Sequence, residues 1–414
     1  MSIVRPFQAL RPRIDLAGQV AALPYDVMNT EEARQMVMGN PHSFLHVDKA
    51  EIDLQPGIDL YDAQVYQKAR ANLEQMVHEG ILQQDQEANF YIYRQIMNGR
   101  SQTGIVACCS IDEYLQNKIK KHEYTRADKE QDRINHVNIC DANTGPIFLT
   151  YRNRVEINQI VEKWCQRSPA CDFQSEDGIN HTIWVIDDQS TLATLQLLFQ
   201  EVDQLYIADG HHRCASGVRV GQIRRQQYPN YTGEEEFNYF LAVIFPDQDL
   251  YIMDYNRLVT DLNGFSPPTF LEAVKEKFSI TKVSSAEPYK PQAKHTFGMY
   301  LEGQWYVLEV HPGIYNTDDP VDRLDVSILQ DHLLRPILGI EDPRTDKRID
   351  FVGGIRGLEE LEKRVQEGMK IAFSMYPTTI QELMDIADED QVMPPKSTWF
   401  EPKLRSGLFI HKLS

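Results

Sequence analysis

From residue 90 onward the chain alternates short β-branched or aromatic runs with stretches of helical periodicity. That alternation constrains the fold more than any other feature. Asn89-Phe90-Tyr91-Ile92-Tyr93, GIVACCSI from Gly104, PIFLTY from Pro146, TIWVID at 182–187, LYIAD at 205–209, FLAVIF at 240–245 and YIMDYNRLV at 251–259 read as strands. Residues 155–165 and 191–199 place apolar side chains at helical spacing between them. Interleaved strands and helices predict an α+β, mixed α/β architecture.

The flanks carry their own signals. Asn29-Thr30-Glu31-Glu32 reads as a helix start with acids in its first turn. Val65, Tyr66, Ala69, Leu73, Met76 and Val77 share a helical face that Gly80 ends. Gly264-Phe265-Ser266-Pro267-Pro268 looks like a boundary. Helices are expected at 270–278, 323–334 and 358–374, with a hairpin at Glu302-Gly303. A Pro-rich, then apolar, tail is expected to cross back over the fold. A length of 414 residues suits two or three domains. The expected division is 1–88, 89–262 and 263–414, with the chemistry in the middle part.

A formal charge of −19 argues against a general nucleic-acid binder, which must neutralise phosphates with many cations. No apolar run approaches a membrane span. The first twenty residues lack the apolar core of a secretory signal, so a cytoplasmic protein is expected. Six cysteines, none in a C-x-x-C, suggest neither a disulfide scaffold nor a zinc site.

Two segments invert the acidic background. Lys118 to Arg133 holds six cations against four acids, and 209–225 holds four arginines against one aspartate. In the second, an apolar strand ends at Asp209, Gly210 permits a tight turn, and His211-His212-Arg213 opens a helix. Free backbone N–H groups at such a helix start favour an anion. Arg213 adds a planar donor fork. Asp209, Gly210, His211, His212 and Arg213 therefore form a candidate phosphate cradle, although no Walker A pattern is present. The alternative is that Asp209 only caps the helix beside half-buried histidines. In the first segment Glu123 lies in a strand-like K-H-E-Y-T among cations. It is a candidate general base, while most of its charged neighbours suit a solvated helix face. His122, Thr125 and Arg126 beside it, and Asn143-Thr144 in the turn before PIFLTY, are candidate substrate contacts. Lys129 is a further candidate for phosphate charge.

K-H-E-x-T-R at Lys121, A-N-T-G-P at Ala142, A-D-G-H-H-R at Ala208 and P-P-K-S-T-W-F-x-P-K at Pro394 together resemble the domain of unknown function 1015 family. The likeness runs from R-P-F at Arg5 through P-Y-D-V at Pro24 to the tail. The D-G-H-H-R element also resembles that of free serine kinases of the ParB/sulfiredoxin fold. This second resemblance implies a central ParB/sulfiredoxin-like domain and phosphorylation of L-serine to O-phospho-L-serine. It implies donor phosphates at Asp209 to Arg213 and a glutamate base, for which Glu123 fits best.

The implied donor is ATP, ADP or pyrophosphate with Mg²⁺, and Asp209 is a possible metal contact. Rival readings remain. A sulfiredoxin-like reductase needs a reactive cysteine in the turn, where His211 and His212 stand, with Cys214 beyond Arg213. A ParB-like switch would need a basic face. A regulatory protein that senses a nucleotide or phosphorylated metabolite without turnover needs only the cradle.

Overall fold

The computed structural model describes residues 2–285 and 287–414. Two compact units emerge: Met1–Leu250 together with Pro402–Ser414, and Tyr251–Glu401. The first is built on a nine-stranded mixed sheet. Its strands run in the order Ile119–Lys120, Leu205–Asp209, Ile147–Tyr151, Tyr239–Pro246, Arg100–Ser110, Phe90–Met97, Asn180–Ile186 and Cys171–Gln174, with Val4–Arg5 pairing the end of Arg100–Ser110. Alternate residues of these strands point to opposite faces. Phe90, Ile92, Ile105, Ile147, Leu149, Ile207 and Ile244 share one core cluster with Ile157 and Trp164 of the helix Val155–Cys165 and Leu195 and Phe199 of the helix Gln189–Gln200. Each such large side chain contributes about 1.5–3 kcal/mol when fully buried. The interleaved pattern therefore does give a mixed α/β chain.

A second cluster in the same unit sets the position of the N-terminal segment. Val65, Ala69, Leu73 and Met76 of the helix Ala63–His78 pack with Phe44, Leu45 and Val47. That packing fixes the short helix Leu45–Asp48 and so the place of Asp48. The tail joins this unit through buried glutamines. Gln102 donates to the Pro402 carbonyl at 3.1 Å and Gln95 to the Lys403 carbonyl at 2.9 Å. His411–Lys412 then pairs with Ala142–Asn143.

The second unit holds a six-stranded antiparallel sheet ordered Phe278–Lys282, Gln304–Val310, Thr296–Leu301, Ile371–Ser374, Tyr255–Val259 and Ile349–Gly353. Glu302 and Gly303 both take positive φ in the hairpin turn, at 49° and 77°, as a tight two-residue connection requires.

Three expectations change. The helix expected at 358–374 covers only Glu359–Gln366; Gly368 turns the chain at φ 130°, and the apolar Ile371–Ser374 becomes a central strand. YIMDYNRLV breaks at Asp254, a buried carboxylate that accepts from Asn256 Nδ2 at 2.6 Å. Ile252–Met253 pairs with Trp399–Phe400 and only Tyr255–Val259 joins the large sheet. Finally, K-H-E-Y-T is not a strand. Pairing with Leu205–Asp209 stops at Lys120, and the His122 N–H turns to the His211 imidazole at 3.5 Å.

Candidate active site

The strand Leu205–Asp209 is buried through Ala208 and ends beside the start of Ile147–Tyr151. Gly210 then takes φ 90°, a left-handed conformation that strains any residue with a Cβ. The helix His211–Gln227 begins at once, and no side chain caps it. Its first N–H groups are thus presented with the positive end of the helix dipole. Asp209 does not cap the helix. Its Oδ1 accepts from the Gly210 N–H at 2.8 Å, and its Oδ2 accepts from Lys403 Nζ at 2.7 Å. Burial alone would raise the Asp209 pKa. The Lys403 charge and hydrogen bond, with the Gly210 N–H, outweigh burial and hold it below the ordinary value.

Glu123 sits in a bend three residues beyond Lys120, and its Oε2 lies 3.9 Å from His211 Nδ1. His211 is 5% exposed. Burial, helped by His122, His212 and Lys121, pushes its pKa well below 6.5 against the pull of Asp209. His122 packs edge to face on it, ring centroids 4.4 Å apart, and burial pushes His122 down to about 4. Both imidazoles are therefore neutral at pH 7. Because His211 Nε2 accepts the His122 N–H, the His211 proton is assigned to Nδ1, facing Glu123. His212 Nε2 likewise accepts the Arg126 N–H at 3.0 Å. Burial lowers its pKa, and Asp26 is the largest opposing influence.

Arg213 leads elsewhere. Residues 211 and 213 lie roughly 200° apart around a helix. The Arg213 guanidinium passes Gly145 and sits with Nη2 3.8 Å from Asp48 Oδ2 and its carbon 5.2 Å from the Tyr25 ring centre. A Cβ on Gly145 would stand 2.6 Å from Nη1, so any side chain there would make the guanidinium shift. Arg133 lies over the same Tyr25 ring at 3.9 Å and pairs with Asp132 at 2.8 Å. Burial raises the Tyr25 hydroxyl to about 12. Thr144 Oγ1 donates to Asp48 Oδ1 at 2.7 Å. Asn143 Oδ1 accepts from the Leu241 N–H at 3.3 Å and lies 3.2 Å from His411 Nδ1.

The candidates thus divide. Glu123, His122, His211, Asp209 and Gly210 come together. Arg213, Asn143 and Thr144 meet on the other side of the helix. The remaining side chains point away: Thr125 Oγ1 donates to Glu130 at 2.8 Å, Arg126 pairs with Asp128 at 2.9 Å, and Lys129 Nζ reaches the Tyr61 hydroxyl at 3.2 Å. Lys403, Asp48, Tyr25, Asp26 and Arg133 had no assigned role. Lys403 closes the P-P-K-S-T-W-F-x-P-K tail, but no spacing ties it to a residue 194 positions away. At Asp209, the possible Mg²⁺ contact, Oδ1 and Oδ2 already accept from the Gly210 N–H and Lys403 Nζ. Among the described residues no three His, Cys, Asp or Glu side chains group to hold a metal. Cys214 is buried and its thiol pKa is raised by burial, so it is no ready thiolate.

The family described as "Protein of unknown function (DUF1015)" matches residues 4–327. The chain belongs to that family. A search of curated proteins finds no match to this DUF1015 member. Among solved structures it is similar to a free serine kinase in complex with AMP, at 15% identity over 71% of this chain and 86% of that one, TM-score 0.36. A conserved hypothetical protein from Pyrococcus furiosus is 16% identical over 73% and 93%, TM-score 0.34. SbnI with a C-terminal truncation, from Staphylococcus aureus, is 10% identical over 72% and 82%, TM-score 0.37. No helix among the described residues is long and apolar enough to cross a membrane.

Proposed function

We propose that this DUF1015 protein is a small-molecule kinase that moves a phosphoryl group from ATP, ADP or pyrophosphate to the hydroxyl of free L-serine. The observation that carries this reading is the Glu123 carboxylate 3.9 Å from His211, at the head of an uncapped helix. Serine and the donor classes come from the D-G-H-H-R resemblance.

In this reading the donor phosphates lie on the N–H groups of the first helical turn. Oriented donors there neutralise charge on the transferring group without reorganising. Glu123 takes the serine hydroxyl proton as the oxygen attacks the terminal phosphorus. The bond from that phosphorus to the donor's bridging oxygen breaks, and ADP, AMP or phosphate leaves. His211 stays neutral, so it does not quench the base as an ion pair would. Lys403 holds Asp209 and with it the turn. Mg²⁺ enters as the donor's counter-ion, and the guanidinium of Arg213 acts on the far side of the helix.

The test is direct. Purified protein is incubated with Mg²⁺, L-serine and each donor in turn, and O-phosphoserine is followed by mass spectrometry. Product with at least one donor is expected. Its absence with all three would sink the kinase reading.

A further inference from the structure

No strand or helix runs through residues 121–126, the segment that carries Glu123. It leaves the sheet after Lys120 and enters the helix Ala127–Cys140 after Arg126. Outside a sheet ladder its N–H groups need other acceptors. The helix it enters supplies none for Arg126. In a capping box, a Glu or Gln at the third helical position accepts the N–H of the cap residue. Here Arg126 is the cap residue and the third position is Lys129, whose ammonium only donates.

The acceptors come instead from the motif helix His211–Gln227. His212 Nε2 accepts the Arg126 N–H at 3.0 Å. His211 Nε2 accepts the His122 N–H at 3.5 Å, the longer and weaker of the two bonds. Successive helical residues point roughly 100° apart, so one turn grips the segment at two places. Those two places bracket Glu123. A ring nitrogen accepts only when it carries no proton, so both rings are assigned their proton at Nδ1. For His211 that proton faces Glu123 Oε2 at 3.9 Å. We infer that His211 and His212 are positioning residues: their Nε2 atoms clamp the main chain on both sides of Glu123 and so set where its carboxylate stands. His212 is the stronger clamp. The clamp itself stands on this geometry; its effect on turnover rests on the kinase reading.

His212 is half-buried and is the place to test it. Gln carries an amide oxygen about as far out as Nε2. Met matches that length without the oxygen, and Asn reaches only as far as Nδ1. The full-length wild type, His212→Gln, His212→Met and His212→Asn are compared by hydrogen exchange across 122–126 with no ligand present. Exchange in His212→Met and His212→Asn is expected to be about three- to tenfold faster, as for one net hydrogen bond, with His212→Gln near wild type. The same proteins are assayed for O-phosphoserine with Mg²⁺, L-serine and each donor in turn. In His212→Met and His212→Asn kcat is expected to fall at least about tenfold, as for a displaced base, with donor KM within about twofold; His212→Gln recovers most of kcat. Wild-type exchange in both His212→Met and His212→Asn would overturn the inference. So would equal losses in His212→Gln and His212→Met, or a loss carried by donor KM, which would make His212 a donor contact. If His212→Met fails to fold, His212→Asn carries the same comparison. Faster exchange in these variants, with no phosphoserine from the wild type, defeats the kinase reading alone. Phosphoserine formation with exchange and kcat unchanged in both defeats this inference alone.

Discussion

The two sides of one helical turn solve the problem of buried cations in opposite ways. On the Glu123 side the most buried basic groups are imidazoles, with Lys403 paired to Asp209 beside them. Burial strips their protons, so His122 and His211 pack ring on ring beside Glu123 and Asp209. On the Asp48 side the basic groups are guanidiniums, which keep their charge when buried. They demand acids, and the fold brings Asp48 from 165 positions before Arg213 and Asp132 from beside Arg133. Neutral imidazoles place no ion pair on the Glu123 carboxylate. A charged cluster lines a small cavity.

The sharpest way to break that contrast is to remove the proposed base. Glu123→Gln keeps the shape of the side chain and removes the proton acceptor. Turnover to phosphoserine is expected to fall about 10²–10⁴-fold, roughly 3–5 kcal/mol of transition-state stabilisation. Donor affinity, read by titration, is expected to stay within about twofold. Full activity in this variant would assign the base elsewhere.

Acid attacks the imidazole side by itself. The folded pKa of His122 is about 4, below the 6.5 of an exposed histidine, so the unfolded chain binds a proton that the folded one refuses. Stability is therefore full above pH 6.5 and drains as pH falls toward 4. At about 1.4 kcal/mol per pKa unit, His122 alone accounts for about 3 kcal/mol. His211 adds in the same direction. Urea unfolding at pH 7 and pH 4.5 should show the wild type losing more than His122→Gln. Parallel losses would mean that His122 is not buried as a neutral ring.

The guanidinium side breaks at its backbone. Gly145→Ala places a methyl 2.6 Å from Arg213 Nη1 and 2.8 Å from Ser406 Oγ. Both are side-chain ends but both are hemmed in, so a loss of about 2 kcal/mol in unfolding free energy is expected from overpacking. Phosphoserine turnover should suffer less than in Glu123→Gln, because the damage falls on the other face. A larger loss of turnover than in Glu123→Gln would erase the distinction between the sides.

This contrast also explains what could be read without coordinates. The strand-Gly-helix turn was legible because local chemistry dictates it. LYIAD is apolar and β-rich, Gly210 supplies the positive φ, and the histidines follow at once. Glu123 was legible as a carboxylate among cations, yet its strand was not real, because pairing ends where His122 turns to His211. The helix through 358–374 failed for a related reason: a periodic apolar pattern spans Gly368 without showing that Ile371–Ser374 is claimed by the sheet on both sides. Arg213 read as a hydrogen-bond donor to phosphate because its neighbours in sequence form the candidate cradle. Its partners in space are Asp48 and Tyr25, which no local pattern joins to it. Lys129 and Arg126 belong with it, since a charge beside a motif need not point where the motif points.

The smallest expected effect tests the link that holds the turn itself. Lys403→Met removes the ammonium from Asp209 but keeps the length and the aliphatic stem. The Asp209 carboxylate is 41% exposed, so the pair is screened and a loss of about 1 kcal/mol at pH 7 is expected. The pH dependence identifies the partner. In the wild type the Asp209 pKa is depressed, so its contribution is present above the unfolded value near 3.9 and is lost as pH falls through the lower folded value. Without Lys403, burial is left to push that pKa up, and protonation then relieves the variant. The stability gap between wild type and Lys403→Met should be widest at pH 7 and close as pH drops through 4, even while both proteins lose stability through their histidines. A gap independent of pH would place the Lys403 contribution in its main-chain and packing contacts with the tail, and would leave Asp209 held by the Gly210 N–H alone.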